Sequence, residues 1–125
     1  MTGSRVIEDG PLLRTVRQKG RWGSSEIVLD VTCWRLLDAV ELRLRVNWQE
    51  CSKILKLEIP TLLEGVRHFA KAPGGAAERE PNGEEEPCQD WVAVEGTLDG
   101  ERCALGLVND GTHSYDCLGG LLRAV

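Results

Sequence analysis

Val40-Glu41-Leu42-Arg43-Leu44-Arg45-Val46-Asn47-Trp48 is a nine-residue run in which apolar and polar side chains alternate, with no glycine or proline inside it. Successive side chains of an extended chain point to opposite faces, so the apolar set faces a core and the polar set faces solvent. This alternation is typical of a half-buried antiparallel strand.

Similar runs lie on both sides of this stretch. Residues 27–33 alternate in the same way, and residues 53–59 keep an apolar face until Pro60 ends the strand pairing. Residues 103–108 are almost all apolar, which predicts a strand covered on both faces. Asp99-Gly100, just before them, is typical of a hairpin turn. Weaker strand patterns lie at 12–18, 91–95 and 121–124.

Short strands separated by turn residues predict an all-β fold, an antiparallel β-sandwich that forms a single domain over residues 1–125. One segment departs from the regular spacing. Residues 72–89 contain Gly74-Gly75, Pro81-Asn82-Gly83 and a run of three glutamates. We therefore expect a long loop at about 72–89, of the kind that is either functional or disordered.

The composition argues against several classes of partner. The net charge is −5, which disfavours nucleic acid and acidic membrane surfaces because phosphate binding needs clustered Lys and Arg. The basic run at 14–21 is interpreted as the solvated face of a strand. No apolar run reaches the length of a signal peptide or membrane span. The five cysteines lack any Cys-x-x-Cys pair, so we expect free thiols in the cytoplasm.

No residue pattern points to catalysis by this chain. The two histidines, His68 and His113, are far apart and lack metal-ligand spacing, so we expect no catalytic residues, metal site or cofactor here. The many carboxylates carry no distinguishing pattern for glycosidase chemistry. Four tryptophans offer rings that could stack on a sugar. Trp48 is in phase with a core face, whereas the role of Trp34 stays open between packing and binding.

Five segments match, in the same order, a known set of sequence motifs. They are residues 7–11 (E-x-G-P), 46–60 (V-D-W-x-E-x-x-K-x-L-K-x-x-F-P), 78–91 (I-E-R-P-T-N-G-E-E-x-P-x-Q-x-W), 104–116 (G-L-A-L-L-N-D, then x-K-Y-G-Y-D) and 121–124 (L-L-R-x-P). In this order the segments resemble the family 38 α-mannosidases over essentially the whole chain. Glu80 interrupts an Arg-Pro step of the family pattern, and Ser114 replaces a glycine.

The resemblance implies a function for the parent protein. Family 38 α-mannosidases cleave α-mannosides with retention, using zinc or another divalent metal held in an N-terminal catalytic domain. The segment that matches this chain folds as part of a β supersandwich, similar to galactose mutarotase, and packs against that domain. The resemblance therefore implies a non-catalytic C-terminal β domain of the bacterial or cytosolic branch, with the missing catalytic domain as its partner.

Five residues are candidates for contacts with the substrate pocket or the domain interface, on the strength of the family resemblance. A freestanding carbohydrate-binding or interaction module is the alternative, with a mannoside as ligand, and a small sugar-active enzyme such as a mutarotase-like isomerase is a third. Unshielded strand edges also predict a homodimer. The five candidates are Arg79, Glu84, Asn109, Asp110 and Tyr115.

Overall fold

A computed structural model describes residues 3–125 as an all-β structure, with no helix among those residues. The strands form three four-stranded antiparallel sheets, which confirms the predicted fold class. The twelve strands are β1 Gly3–Asp9, β2 Leu13–Trp22, β3 Ser25–Trp34, β4 Val40–Asn47, β5 Leu57–Pro60, β6 Glu64–Ala72, β7 Gly75–Arg79, β8 Glu86–Pro87, β9 Trp91–Leu98, β10 Glu101–Val108, β11 Ser114–Leu118 and β12 Leu121–Ala124.

The chain divides into two compact units, the first ending at Lys53 and the second spanning Ile54–Val125. The first unit holds one sheet, in the order β1-β2-β3-β4. The second holds two sheets, in the orders β10-β9-β6-β7 and β5-β12-β11-β8. The sequence-based expectation of a single domain stays a prediction.

The sheet of the first unit has one apolar face. Cross-strand pairing aligns Val16 with Val31 and Val31 with Leu42, and the neighbouring row aligns Leu29 with Leu44. The alternation that begins at Val40 thus forms β4 as predicted. Because residues 3–53 form a single sheet, this face has no second layer within the unit, and Leu42 and Leu44 stay 37% and 39% exposed.

The opposite face of that sheet is polar. Asp30 accepts hydrogen bonds from Arg17 Nε at 2.7 Å and from Arg45 Nη2 at 3.0 Å. The Arg17 guanidinium, together with Arg45, holds the pKa of Asp30 down at about 2 despite the opposing effect of desolvation. Arg17, Lys19 and Arg21 of the basic run share this polar face, on which the ion-paired Asp30 is buried, whereas Arg14 has the opposite strand parity. The prediction of a solvated strand face for the whole run was therefore correct only in part.

The second unit is a sandwich of its two sheets. Val92 and Val94 of β9 are fully buried, and they belong to one core cluster with Tyr115 of β11 and Leu122 of β12. The inward side chains of the two sheets meet in this core, as expected for facing antiparallel sheets. The other buried members of the cluster are Ala70, Cys88 and Cys117.

The segment 72–89 is more regular than expected. Gly74 has a positive φ of 87°, which lets the chain reverse tightly and bring Gly75 back beside Ala72. The returning chain forms β7, and β8 follows at Glu86–Pro87. Two strands thus interrupt the segment expected as a loop at 72–89, while residues 80–85 between them belong to neither strand.

Two other strand predictions have opposite outcomes. Asp99 and Gly100 both have positive φ, at 52° and 84°, and they join β9 to β10 as the predicted hairpin turn. The apolar run at 103–108 does form β10, but this strand lies at the end of its sheet with mostly exposed residues. The expected cover on both faces was wrong: Leu107 on one face packs against the core, while Ala104, Gly106 and Val108 on the other face are exposed.

Candidate functional site

Tyr115 occupies the interior of the second unit. Its side chain is 1% exposed, and its hydroxyl lies 3.1 Å from Nδ1 of His68, which is also 1% exposed. The two rings meet edge to face with centroids 5.6 Å apart. Burial raises the pKa of Tyr115 to about 12, so its hydroxyl stays protonated over the physiological range.

Arg79 lies beside this pair through the strand register. It pairs with His68 between β7 and β6, while Glu86 of β8 pairs with Tyr115 of β11. Arg79 Nη1 lies 3.1 Å from Glu86 Oε2, which joins the two sheets at one edge of the sandwich. His68, Tyr115, Glu86 and Arg79 thus form a closed set that we call the polar ring.

The polar ring contains buried polar atoms that lack a partner. His68 Nε2 and Arg79 Nε have no hydrogen bond to any described residue. An unsatisfied buried polar group costs about 1–3 kcal/mol. Buried polar atoms without hydrogen-bond partners concentrate at functional or strained sites. The polar ring is therefore the candidate site of this unit.

Asn109 and Asp110 follow β10 and have turn contacts. The Asn109 backbone N–H donates to the Asp90 carbonyl at 2.8 Å, and the Asn109 side chain lies 3.9 Å from Cys88 Sγ. Burial raises the pKa of this Cys88 thiol. Asp110 is exposed at the bend that follows Asn109. These contacts secure the loop at 109–110 to residues 88–90.

Glu84 lies outside the polar ring. Its backbone N–H donates to Asn82 Oδ1 at 2.9 Å, and its side chain is exposed. The structure therefore brings Arg79 and Tyr115 together, places Asn109 beside Cys88, and leaves Glu84 and Asp110 at the surface. A role for any of the five in substrate or interface contact stays a prediction.

Sequence reasoning did not assign a role to two members of the polar ring, His68 and Glu86. A signal for His68 exists, because it shares its strand parity with Val66 and Ala70, and Ala70 is buried in the core. Histidine at an apolar position of an alternating strand is expected to point inward. No local pattern distinguishes Glu86 from the two glutamates before it.

A second buried charged cluster lies on the outer side of β11. Asp116 is fully buried, and it accepts hydrogen bonds from Lys56 Nζ at 2.8 Å and from Arg123 Nε at 2.5 Å. Lys56 also donates to Glu85 at 2.6 Å. Burial raises the pKa of Asp116, but Lys56 and Arg123 outweigh it and leave that pKa below its usual value. We call these four residues the charge cluster.

A comparison with protein families assigns the chain. Residues 2–124 match the family described as glycosyl hydrolases family 38 C-terminal domain. The chain belongs to this family. No curated protein matches it significantly. The resemblance inferred from the motifs is thus confirmed at the level of the family, and a C-terminal domain of a glycoside hydrolase implies a catalytic domain as its partner in the parent protein.

The motifs of this family 38 domain converge on the charge cluster. Lys56 comes from the segment 46–60, Glu85 from 78–91, Asp116 from 104–116 and Arg123 from 121–124. Removing one partner of a buried ion pair leaves an uncompensated charge, so these residues depend on one another. These four motif residues therefore have a structural role.

The motif at 46–60 also secures a turn in the first unit. Glu50 Oε1 accepts hydrogen bonds from the Ser24 backbone N–H at 2.8 Å and from Ser25 Oγ at 3.0 Å. Trp48 stacks on Trp22 with ring centroids 5.8 Å apart and an interplanar angle of 6°. Trp48 and Glu50 thus hold the turn between β2 and β3. Trp48 packs against Trp22 and is only half-buried, so the predicted position on a core face was not correct.

The remaining groups that could bind a metal or react are the His, Cys, Asp and Glu side chains. The described residues 3–125 contain no group of three His, Cys, Asp or Glu side chains placed to hold a metal ion. All five cysteines are free, with Cys88 and Cys117 buried and Cys33 and Cys51 exposed. Within the same residues, no helix is long and apolar enough to cross a membrane.

Proposed function

We propose that this chain is the non-catalytic C-terminal β domain of an α-mannosidase and that it supports a metal-dependent catalytic domain in the parent protein. The family match over residues 2–124 carries the proposal. The charge cluster supports it, because its four motif residues form ion pairs with one another and so stabilise the fold of the second unit.

The site residues proposed for this role lie at one edge of the sandwich. Arg79 and Glu86 are the members of the polar ring whose side chains are partly open to solvent, at 34% and 24% exposure. Tyr115 contacts His68 from within the unit. We expect Arg79 and Asn109 to contact the parent's catalytic domain or its substrate. Tyr115 acts as a positioning residue, and the exposed side chains of Glu84 and Asp110 complete the set.

The zinc or other divalent cation expected in such an enzyme belongs to the parent's catalytic domain. A catalytic zinc site commonly takes three protein ligands. The described residues of this domain offer no such cluster, so they do not fit the metal. Assignment to the bacterial or cytosolic branch, and hence to the cytoplasm, is part of the proposal and is supported by the five free cysteines.

An activity assay tests the proposal. The purified chain is incubated with an aryl α-mannoside and zinc, alone and after co-expression with the catalytic segment of its parent protein. We expect no turnover by the chain alone, and turnover by the catalytic segment that rises when the chain is present. Hydrolysis by the chain alone, or a catalytic segment that is equally active and stable without it, would refute the proposed role.

A carbohydrate-binding module is the second candidate function, and one observation favours it. The Trp22 ring is 50% exposed while it stacks on Trp48, which leaves a supported flat aromatic surface open to a sugar ring. Trp34 is also exposed, at 36%. Titration with mannose oligosaccharides should then change tryptophan fluorescence in the wild type and not in Trp22→Ala. Wild-type tryptophan fluorescence that does not change when these sugars are added would exclude this candidate.

A further inference from the structure

Two unpartnered buried atoms of the polar ring belong to residues that face one another across β6 and β7. His68 and Arg79 are directly opposed in that strand pair, and directly opposed residues of antiparallel strands share a face. His68 Nε2 and Arg79 Nε are both buried, and neither has a hydrogen bond to a described residue. Because the two atoms lie on neighbouring side chains of one ring, a single shared partner accounts for both.

The Tyr115 hydroxyl determines which nitrogen of His68 carries the proton. Burial raises the pKa of Tyr115 to about 12, so this hydroxyl keeps its proton and can donate it. His68 Nδ1, 3.1 Å away, accepts that hydrogen bond, and the proton of the neutral imidazole then lies on Nε2. The opposite tautomer would leave the Tyr115 proton without an acceptor among the described residues.

This tautomer gives the polar ring two buried N–H donors that share the same need. His68 Nε2–H and Arg79 Nε–H cannot satisfy one another, because a guanidinium donates hydrogen bonds and accepts none. Both donors project from one face of the β6–β7 pair. One oxygen atom with two lone pairs satisfies both of them.

Charge and access select the kind of oxygen. The guanidinium of Arg79 is already neutralised by Glu86, with Nη1 and Oε2 3.1 Å apart, so an anion would add an uncompensated charge beside that carboxylate. His68 Nε2 and Arg79 Nε present essentially no surface to solvent, so a sugar or another segment of a parent protein reaches them only by displacing residues of this unit. A water molecule is neutral and small, and internal waters typically make about three hydrogen bonds to groups that the protein leaves unsatisfied.

We propose that the polar ring binds one internal water molecule, which accepts hydrogen bonds from His68 Nε2–H and Arg79 Nε–H. The oxygens of Glu86 and Tyr115 in the same ring offer lone pairs to the hydrogens of this water. The water completes a polar connection between the β6–β7 pair and the β8–β11 pair, which belong to different sheets. The inference does not rest on the proposed function.

A crystal structure of the chain tests the site directly. We expect one ordered water within about 3.2 Å of both His68 Nε2 and Arg79 Nε. Either of two results would overturn the proposal. In the first, both atoms stay buried and the density between them holds no water. In the second, a protein group, an anion or bulk solvent satisfies one of the two atoms instead.

NMR of the chain labelled with nitrogen-15 tests the tautomer and the water together. In mildly alkaline buffer, the ring nitrogen shifts should place the proton of His68 on Nε2, and this proton should show a rotating-frame NOE to water. The sign of that signal separates a bound water from chemical exchange. His113 is exposed, so its ring proton should exchange too fast to be seen. A His68 proton on Nδ1, protons on both nitrogens, or an Nε2–H without a water contact would overturn the proposal.

A pair of arginine variants tests the second donor. Arg79→Met removes one of the two N–H groups and should abolish the NOE between His68 Nε2–H and water. Arg102→Met is the matched control, since Arg102 also lies beside a glutamate, Glu95, at 3.8 Å, but its side chain is 85% exposed on β10. Circular dichroism checks that both variants fold. A water contact of full strength in Arg79→Met, or an equal loss in Arg102→Met, would contradict the assigned site.

Discussion

Lys56 Nζ lies 2.8 Å from Asp116 Oδ2, although 60 residues separate the two in the chain. The contact fastens the segment that precedes β5 to the outer side of β11. Arg123 holds the other oxygen of the same carboxylate. The second unit is therefore stabilised by the charge cluster on the outer side of one sheet as well as by the apolar core between its sheets.

Replacing Asp116 by asparagine should destabilise the second unit. The amide keeps the shape but leaves Lys56 and Arg123 without their buried counter-charge, so we expect a loss of about 2–4 kcal/mol in the free energy of unfolding. Urea unfolding followed by circular dichroism measures it. Asp90→Asn is the control, because Asp90 pairs with Lys71 at the exposed surface. Equal losses in both variants would contradict the assigned role.

Acid should weaken the first unit through Asp30. Its pKa in the folded chain is about 2, and that of an unfolded aspartate is about 3.9, so the unfolded state binds the proton first as pH falls. The stability contributed by this carboxylate is complete above the unfolded value and is lost as pH falls towards about 2. Carboxyl carbon shifts in NMR should show the low pKa in wild type and a higher one in Arg17→Gln. An unchanged midpoint in that variant would exclude the ion pair as the cause.

Tyr115 should titrate abnormally in alkali. It is the single tyrosine of the chain, so tyrosinate absorbance reports on it alone. Its folded pKa of about 12 lies above the unfolded value of about 10, and the stability it contributes is complete below the unfolded value and lost as pH rises through the folded one. A native midpoint equal to that of the chain in urea would contradict the buried hydroxyl.

Removing the Glu50 carboxylate should loosen the turn between β2 and β3. Glu50→Ala deletes two hydrogen bonds to Ser24 and Ser25, and we expect a loss of about 1–2 kcal/mol in the free energy of unfolding. The fluorescence of the Trp22–Trp48 stack beside it should change as well. Glu26→Ala removes an exposed carboxylate of β3 and serves as the control, with little change expected. If both variants lose the same free energy of unfolding, the Glu50 hydrogen bonds contribute nothing measurable to stability.

Local patterns predicted most strands but not their neighbours, and the strand predicted at 53–59 covers only Leu57–Pro60, with Pro60 paired to Leu121. The alternation from Val40 and the Asp99-Gly100 turn both report on backbone conformation over a few residues, and both predictions were correct. The apolar run of β10 reports only that the strand avoids water, so it gave no indication that one edge lacks a partner. Gly74-Gly75 was interpreted as part of a loop, although Gly74, at positive φ, lies in the turn of the β6–β7 hairpin and Gly75 begins β7.

The site was predicted only in part for a similar reason. Arg79 and Tyr115 were named from motifs, and the register of two strand pairs brings them to one ring. Glu86 enters that ring through pairing with a distant strand, which no local pattern encodes. Asp116 and Arg123 are opposed in the β11–β12 hairpin, whereas Lys56 reaches them from the segment before β5, 60 residues away from Asp116. Each of the three lies in a motif that the sequence had singled out.

The central claim is that this chain is the C-terminal domain of a larger glycoside hydrolase. The most direct test is the mass of the native gene product in source cells, measured by immunoblot with an antibody raised against the domain. The account predicts a band several times larger than the 13.8 kDa of this chain. A native product that migrates at the size of the chain alone would contradict it and favour a freestanding binding module.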